Sequence, residues 1–136
     1  MHVIRSEETR RTETPNAVMT TLASPTQGSS EQAVWRVEMA PGHSGPLHGI
    51  DAVQVWTVLR GGAGVEAGEQ AATLRPGDTI VLPAGVARRI TADEREGLVA
   101  IVAAPAAMRA YVLRGTAAGP HPAVAEGDKV LPGWVA

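Results

Sequence analysis

His48, Gln54 and Arg88 are side chains whose types and spacing could do chemistry. An imidazole titrates near neutral pH, so His48 can take up or release a proton, or give a nitrogen to a metal. Gln54 is uncharged and a weak ligand for hard or borderline cations, but its amide can orient a bound molecule by hydrogen bonding. A guanidinium stays protonated and cannot coordinate a metal, so Arg88 offers a fixed positive charge to a carboxylate or an enolate. Residues 48, 50 and 54 share parity, which in extended chain gives them one face, and there Ile50 adds only apolar lining. Cysteine is absent, which removes thiolate catalysis, disulfides and a cysteine-held zinc.

The elements that must position these groups read as strands. From Ala33 to Met39 the chain alternates, with Trp35, Val37 and Met39 on one face and Val34, Arg36 and Glu38 on the other, the pattern of a half-buried strand. Further short runs rich in β-formers cover Ala17–Leu22, Val53–Leu59, Ala71–Leu74, Thr79–Leu82, Ala87–Thr91, Leu98–Ala103 and Met108–Leu113. Between them lie Gly-containing turns such as RGGAG, EAGEQ, RPGD and PAG. Many short strands with no helical stretch between them predict an all-β sandwich or barrel of the jelly-roll kind rather than a βαβ fold. Gly61, Gly62 and Gly64 have no following helix to make them a phosphate loop, and a hairpin turn explains them.

Around Gly42 the sequence runs PGHSGPLHGIDAVQVWTVLRGG, and from Gly77 it runs GDTIVLPAGVARRITA. These stretches resemble the two cupin motifs, G-x5-H-x-H-x3-E-x6-G and G-x5-P-x-G-x2-H-x3-N, in unbroken register. The turn positions Gly42, Gly61, Gly77, Pro83 and Gly85 all match, and such positions report backbone shape, since glycine permits positive φ and proline presets φ. The family's metal ligands would fall on His48, Ile50, Gln54 and Arg88, where only His48 matches, and the Asn that often closes the second motif falls on Ala92. The resemblance thus implies a small cupin jelly-roll barrel with degenerate metal-ligand positions, His48, Ile50, Gln54 and Arg88 facing inward and Arg89 facing out. It also implies a homodimer, because such barrels commonly pair through their outer sheets.

An inward cation without a counter-charge costs several kcal/mol, so Arg88 either meets a bound anion or reaches the barrel mouth to pair with a surface acid. Asp51 reads as a turn residue that could reach Arg88 or Arg60. His43 is expected to be exposed, though it could join His48 in a distorted metal site. Trp35 and Trp56 read either as walls of a ligand pocket or as plain core.

Three functions fit these residues. The first is a metal-independent isomerase, cyclase or lyase of secondary metabolism, with His48 moving a proton, Arg88 holding a carbonyl or carboxylate, and Gln54, Ile50, Trp35 and Trp56 binding a partly apolar substrate. The second is a metal-dependent cupin dioxygenase or cyclase using His48 and substitute ligands. The third is a non-catalytic module that binds a small molecule.

At 136 residues and 44 % apolar content the chain is expected to be one domain, 1–136, with a barrel core at about 17–113 and an irregular tail at 114–136. A net charge of −2 gives no electrostatic case for nucleic acid or an acidic membrane. No stretch approaches the roughly 20 apolar residues of a membrane span and none resembles a signal peptide, so cytoplasmic residence is expected. Residues 2–13 read as an irregular arm or as an edge strand that pairs with a partner subunit. In the tail, Trp134 is expected to dock on the barrel or on a second subunit, while His121 has no evident partner.

Overall fold

A computed structural model describes residues 1–114, 125, 126 and 128–136. The described chain runs through a 3-10 turn at Ser6–Glu8 and then twelve strands. They are β1 Arg10–Glu13, β2 Val18–Ala23, β3 Gln32–Met39, β4 His48–Ile50, β5 Gln54–Gly61, β6 Ala63–Ala67, β7 Gln70–Leu74, β8 Thr79–Leu82, β9 Arg88–Ala92, β10 Leu98–Pro105, β11 Ala110–Arg114 and β12 Ala125–Glu126. They form two six-stranded antiparallel sheets, ordered β1-β2-β3-β10-β5-β8 and β12-β11-β4-β9-β6-β7. No named strand pairs across the two sheets, so the jelly roll is closed by side-chain packing between layers.

Alternation decides which residues fill that interlayer space. Along β3, Ala33, Trp35, Val37 and Met39 are buried while their neighbours are partly exposed. Across β10 the inward residues are Leu98, Ala100, Val102 and Ala104, and Val102 sits in register between Trp35 and Trp56. Leu82, Ile90, Met108 and Val135 complete the core.

The motif glycines Gly42, Gly61, Gly77 and Gly85 all have positive φ, at 73, 69, 89 and 76°. Gly61 is confined twice over, because a Cβ there would run into the main-chain oxygen of Gly97.

Three expectations change. Strands β4 and β6 are absent from the sequence-based strand set, since three residues are too few to show a period and Gly64 dilutes the β6 pattern. Gly61 and Gly62 do not form a hairpin; they carry the chain from one sheet to the other, and the hairpin is β6–β7 around Gly68. The N-terminal arm is not irregular along its whole length, nor does its strand need a partner subunit: β1 pairs with β2 of the same chain, Arg10 opposite Thr21 through Glu13 opposite Val18. The tail docks on its own barrel as expected, with Trp134 partly buried against the core and Val135, at 0 % exposure, inside it. His121 lies outside the described residues. No helix among the described residues is long and apolar enough to cross a membrane.

Candidate functional site

The strand ends gather the chemistry at one end of the sandwich. His48 opens β4, Gln54 opens β5, and Arg88 opens β9 directly opposite His48 in the antiparallel register. Gln54 in turn stands opposite Leu82, the last residue of β8.

Arg88 is fully buried, at 0 % exposure. Nη2 donates to the carbonyl of Pro83 at 2.6 Å, Nε to the carbonyl of Val86 at 3.3 Å, and Nη1 to Oε1 of Gln54 at 3.4 Å. All three acceptors are neutral, two of the bonds are long, and among the described residues one hydrogen on each of Nη1 and Nη2 has no acceptor. Among the described residues the salt bridges are Arg11–Glu13 and Arg36–Glu38, neither of which involves Arg88. The guanidinium is thus buried rather than held out at the surface, and among the described residues no acid pairs with it. Asp51 does not approach it either: its carboxylate accepts the main-chain N–H of Arg109 at 2.6 Å. Burial pushes the Arg88 guanidinium down from its ordinary value, opposed by the nearby Tyr111 phenol.

His48 is half-buried, and its Nδ1 lies 2.8 Å from the carbonyl of Pro46. A carbonyl only accepts, so the neutral ring carries its proton on Nδ1 and leaves the Nε2 lone pair free. Burial lowers the imidazole pKa below the ordinary 6.5; the Pro46 bond opposes this and the charge of Arg88 adds to it. His48 is thus a neutral base at pH 7, oriented by one main-chain contact.

Gln54 joins several groups. Oε1 accepts from both Arg88 and the Trp56 indole, the latter at 3.2 Å, and Nε2 lies 3.5 Å from the sulfur of Met108. Ile50 is buried beside it and Arg89 is exposed, as alternation requires. Trp35 and Trp56 pack in the core, Trp56 with its polar edge turned to Gln54. His43 is exposed, and its main-chain oxygen accepts from Ala92.

Several contributors escape sequence reasoning. Pro46 selects the His48 tautomer, and the Pro83 carbonyl gives Arg88 its shortest bond; main-chain groups leave no compositional signal. Tyr111 lies opposite Gly49 with its ring where a Gly49 side chain would be, so that glycine, invisible as a motif position, is a steric requirement. The described surface has clefts of about 450 and 460 Å³, one around Gly62, Arg75 and Glu94 and the other around Val65, Ala72 and Leu82. Neither is lined by His48, Gln54 or Arg88.

Solved structures resemble this one at low identity. The polyketide cyclase RemF from Streptomyces resistomycificus superposes with a TM-score of 0.66 at 20 % identity, over 77 % of this chain and 79 % of its own. A cupin-like protein from Thermotoga maritima gives 0.61 at 27 % identity, over 68 % and 70 %. Oxalate decarboxylase from Bacillus subtilis gives 0.66 at 18 % identity, over 73 % of this chain but only 27 % of its own. No curated protein matches the sequence.

Mn(II) centres are described for that oxalate decarboxylase, but the matching residues here do not fit a divalent ion. Ile50 has no donor atom, Oε1 of Gln54 is committed to Trp56 and Arg88, and a guanidinium carries the charge that a cation would repel. Among the described residues no three of His, Cys, Asp or Glu converge. The Cupin domain model matches residues 35–104, which hold both glycine-punctuated motifs together with His48, Gln54 and Arg88, and the chain belongs to the cupin family.

Proposed function

We propose that this protein is a metal-independent enzyme that moves a proton on a small, partly apolar molecule bearing a carboxylate or an enolisable carbonyl, as an isomerase, cyclase or lyase. The observation that supports it most is a fully buried Arg88 with only neutral acceptors among the described residues. A buried cation in that state lacks several kcal/mol of stabilisation that a bound anion restores.

The chemistry follows from the two strand-paired groups. The substrate's oxygen takes the free N–H groups of Arg88, while Nε2 of His48 removes a proton from the adjacent carbon. Negative charge then develops on the oxygen facing the guanidinium, and a preorganised donor there is worth roughly 3 kcal/mol to the transition state. The imidazolium returns the proton at another position, or to a leaving group. Gln54 holds Arg88 in place and the apolar walls formed by Ile50, Trp56 and Met108 take the rest of the molecule. A ring-closing role in secondary metabolism is in keeping with the polyketide cyclase among proteins of similar fold.

The test is a thermal-shift screen of small carboxylates and polyketide-like phenols on the wild type and on Arg88→Met. At least one such anion is expected to stabilise the wild type and not the variant; equal shifts, or none, would remove the anion site and the mechanism with it.

We further propose that the protein works as a homodimer. Strand β10 is central in its sheet yet contains no polar residue: its outward Ala103 lies between Val34 and Val55, with Val81, 60 % exposed, one strand on, while Ile101 lies between Arg36 and Thr57 and Val99 between Glu38 and Arg60. An antiparallel sheet that faces water normally alternates apolar and polar residues, and a second copy is the cover proposed for this face.

A further inference from the structure

Arg88 has no exposed surface, and neither described cleft reaches it, so a ligand needs a way in. The register identifies the end of the sandwich nearest the site. There β2 and β10 end, β3 and β5 begin, β4 ends at Ile50 opposite Ala110 of β11, and β9 begins at Arg88. Residues 130–136 run across this end from one sheet to the other. Val130 exchanges two main-chain hydrogen bonds of 2.8 Å with Ala110, in the sheet that carries His48 and Arg88. Six residues later the main-chain oxygen of Ala136 accepts from the hydroxyls of Ser24 at 3.0 Å and Thr26 at 2.6 Å, just past the end of β2 in the opposite sheet. Between them Thr21 donates to the Trp134 carbonyl at 2.7 Å, and Val135 enters the core cluster that also holds Met108, Ile50 and Trp56.

We infer that residues 130–136 are a strap that closes the barrel over the interior site and lifts to admit a small anion to Arg88. The inference rests on the reading of Arg88 as an anion-binding group.

The attachments suit release. A ladder strand is held at every second residue along its length, whereas the strap is fixed at its two ends, through Trp134, and by the small buried side chains of Pro132 and Val135. Segments held this sparsely open well before the whole fold does. Its receptor is also built without it: Arg10 donates to Thr26 Oγ1 at 2.9 Å and to Ser24 Oγ at 3.2 Å, so these hydroxyls keep a partner when Ala136 leaves. Thr21 and the freed carbonyls turn to water, so lifting the strap orphans no buried polar group. Withdrawal of Val135 uncovers the cluster containing Met108, whose sulfur touches Gln54, and Gln54 bonds Arg88.

The test uses iodide, which is both an anion and a quencher of indole fluorescence. Trp35→Phe with Trp134→Phe leaves Trp56 as the reporter, one hydrogen bond from Gln54. Into this background go Thr26→Cys and Ala136→Cys, the only thiols in a chain without cysteine, so that oxidation locks the strap and reduction frees it in the same molecule. Iodide quenching is expected to rise about fivefold on reduction, and Thr21→Ala without the lock is expected to raise it as well. Equal quenching in the oxidised and reduced protein overturns the strap. Failure of the Arg88 reading looks different: quenching still depends on the lock, but neutral acrylamide does as well as iodide and Arg88→Met changes neither, which overturns the inferred anion route while leaving a gate. Should the cysteine pair not fold, hydrogen exchange of residues 128–136 in the wild type decides the gate: exchange much faster than that of β10 supports it, and exchange together with β10 overturns it.

Discussion

His48 and Arg88 stand directly opposite each other on β4 and β9, an imidazole half-buried and a guanidinium fully so. Burial chiefly keeps the imidazole neutral, the guanidinium adds to that, and the pairing sets a proton acceptor beside a fixed positive charge. The acid-base behaviour of one is therefore tied to the other.

The pKa of His48 lies below 6.5, chiefly through burial and in part through Arg88. NMR titration of its ring protons should give a midpoint under 6.5 in the wild type and a higher one in Arg88→Met. Since the folded value is lower than the unfolded one, the unfolded chain binds the extra proton, and stability falls as pH drops from 6.5 toward the folded pKa. Urea unfolding should show this loss in the wild type and a shallower one in His48→Gln. Catalysis that uses neutral His48 as base should likewise appear as pH rises through the folded pKa and level off by pH 7.

Gln54 and Arg88 differ in what their loss leaves behind. Gln54→Leu strands the Trp56 indole N–H and one N–H of Arg88 in the core and is expected to cost about 2–3 kcal/mol. Arg88→Met removes a buried cation for a side chain of similar length, and is expected to fall within about 1 kcal/mol of the wild type. When Arg88→Met is already present, the Gln54→Leu penalty should shrink, as it must if the two are coupled. An Arg88→Met cost well above that of Gln54→Leu would mark the guanidinium as a clamp on the loop at 83–86 instead of a ligand site.

Gly49→Ala places a methyl in the ring of Tyr111 and should destabilise the protein by about 1–3 kcal/mol as an overpacking change. Tyr111→Leu should relieve most of that cost in the double variant, measured by thermal melting. An additive pair of effects would contradict the steric assignment.

Ile101 sits at the middle of the apolar outward row of β10, between Arg36 and Thr57. Sedimentation velocity should give a dimer for the wild type and a monomer for Ile101→Glu with an unchanged circular dichroism spectrum. A wild type that stays monomeric at its highest soluble concentration would contradict the proposed pairing.

The fold was legible because its determinants are local. Positive φ can be read from Gly42, Gly61, Gly77 and Gly85, and alternation from 33–39, without knowing any partner. The motif resemblance sent Arg88 inward, and parity then sent Arg89 outward. What surrounds Arg88 was not legible, because the carbonyls of Pro83 and Val86 are main-chain groups that every residue possesses. The strap was hidden for a related reason: Val135 is one small apolar residue in a Gly- and Pro-rich stretch, and nothing in 130–136 announces which end of the barrel it will cross. The N-terminal arm misled because Arg10–Glu13 is wholly polar, as suits a sheet edge exposed on most sides, and polarity alone does not distinguish that from irregular chain.

The central claim is that Arg88 has taken the place of a metal as the charge that meets the substrate. Anomalous diffraction from crystals of the wild-type protein grown in bromide tests it most directly. The expected result is a bromide at about 3 Å from the guanidinium nitrogens of Arg88, on the side facing His48, and absent in Arg88→Met. A divalent metal on Nε2 of His48, or no bromide beside Arg88, would contradict it.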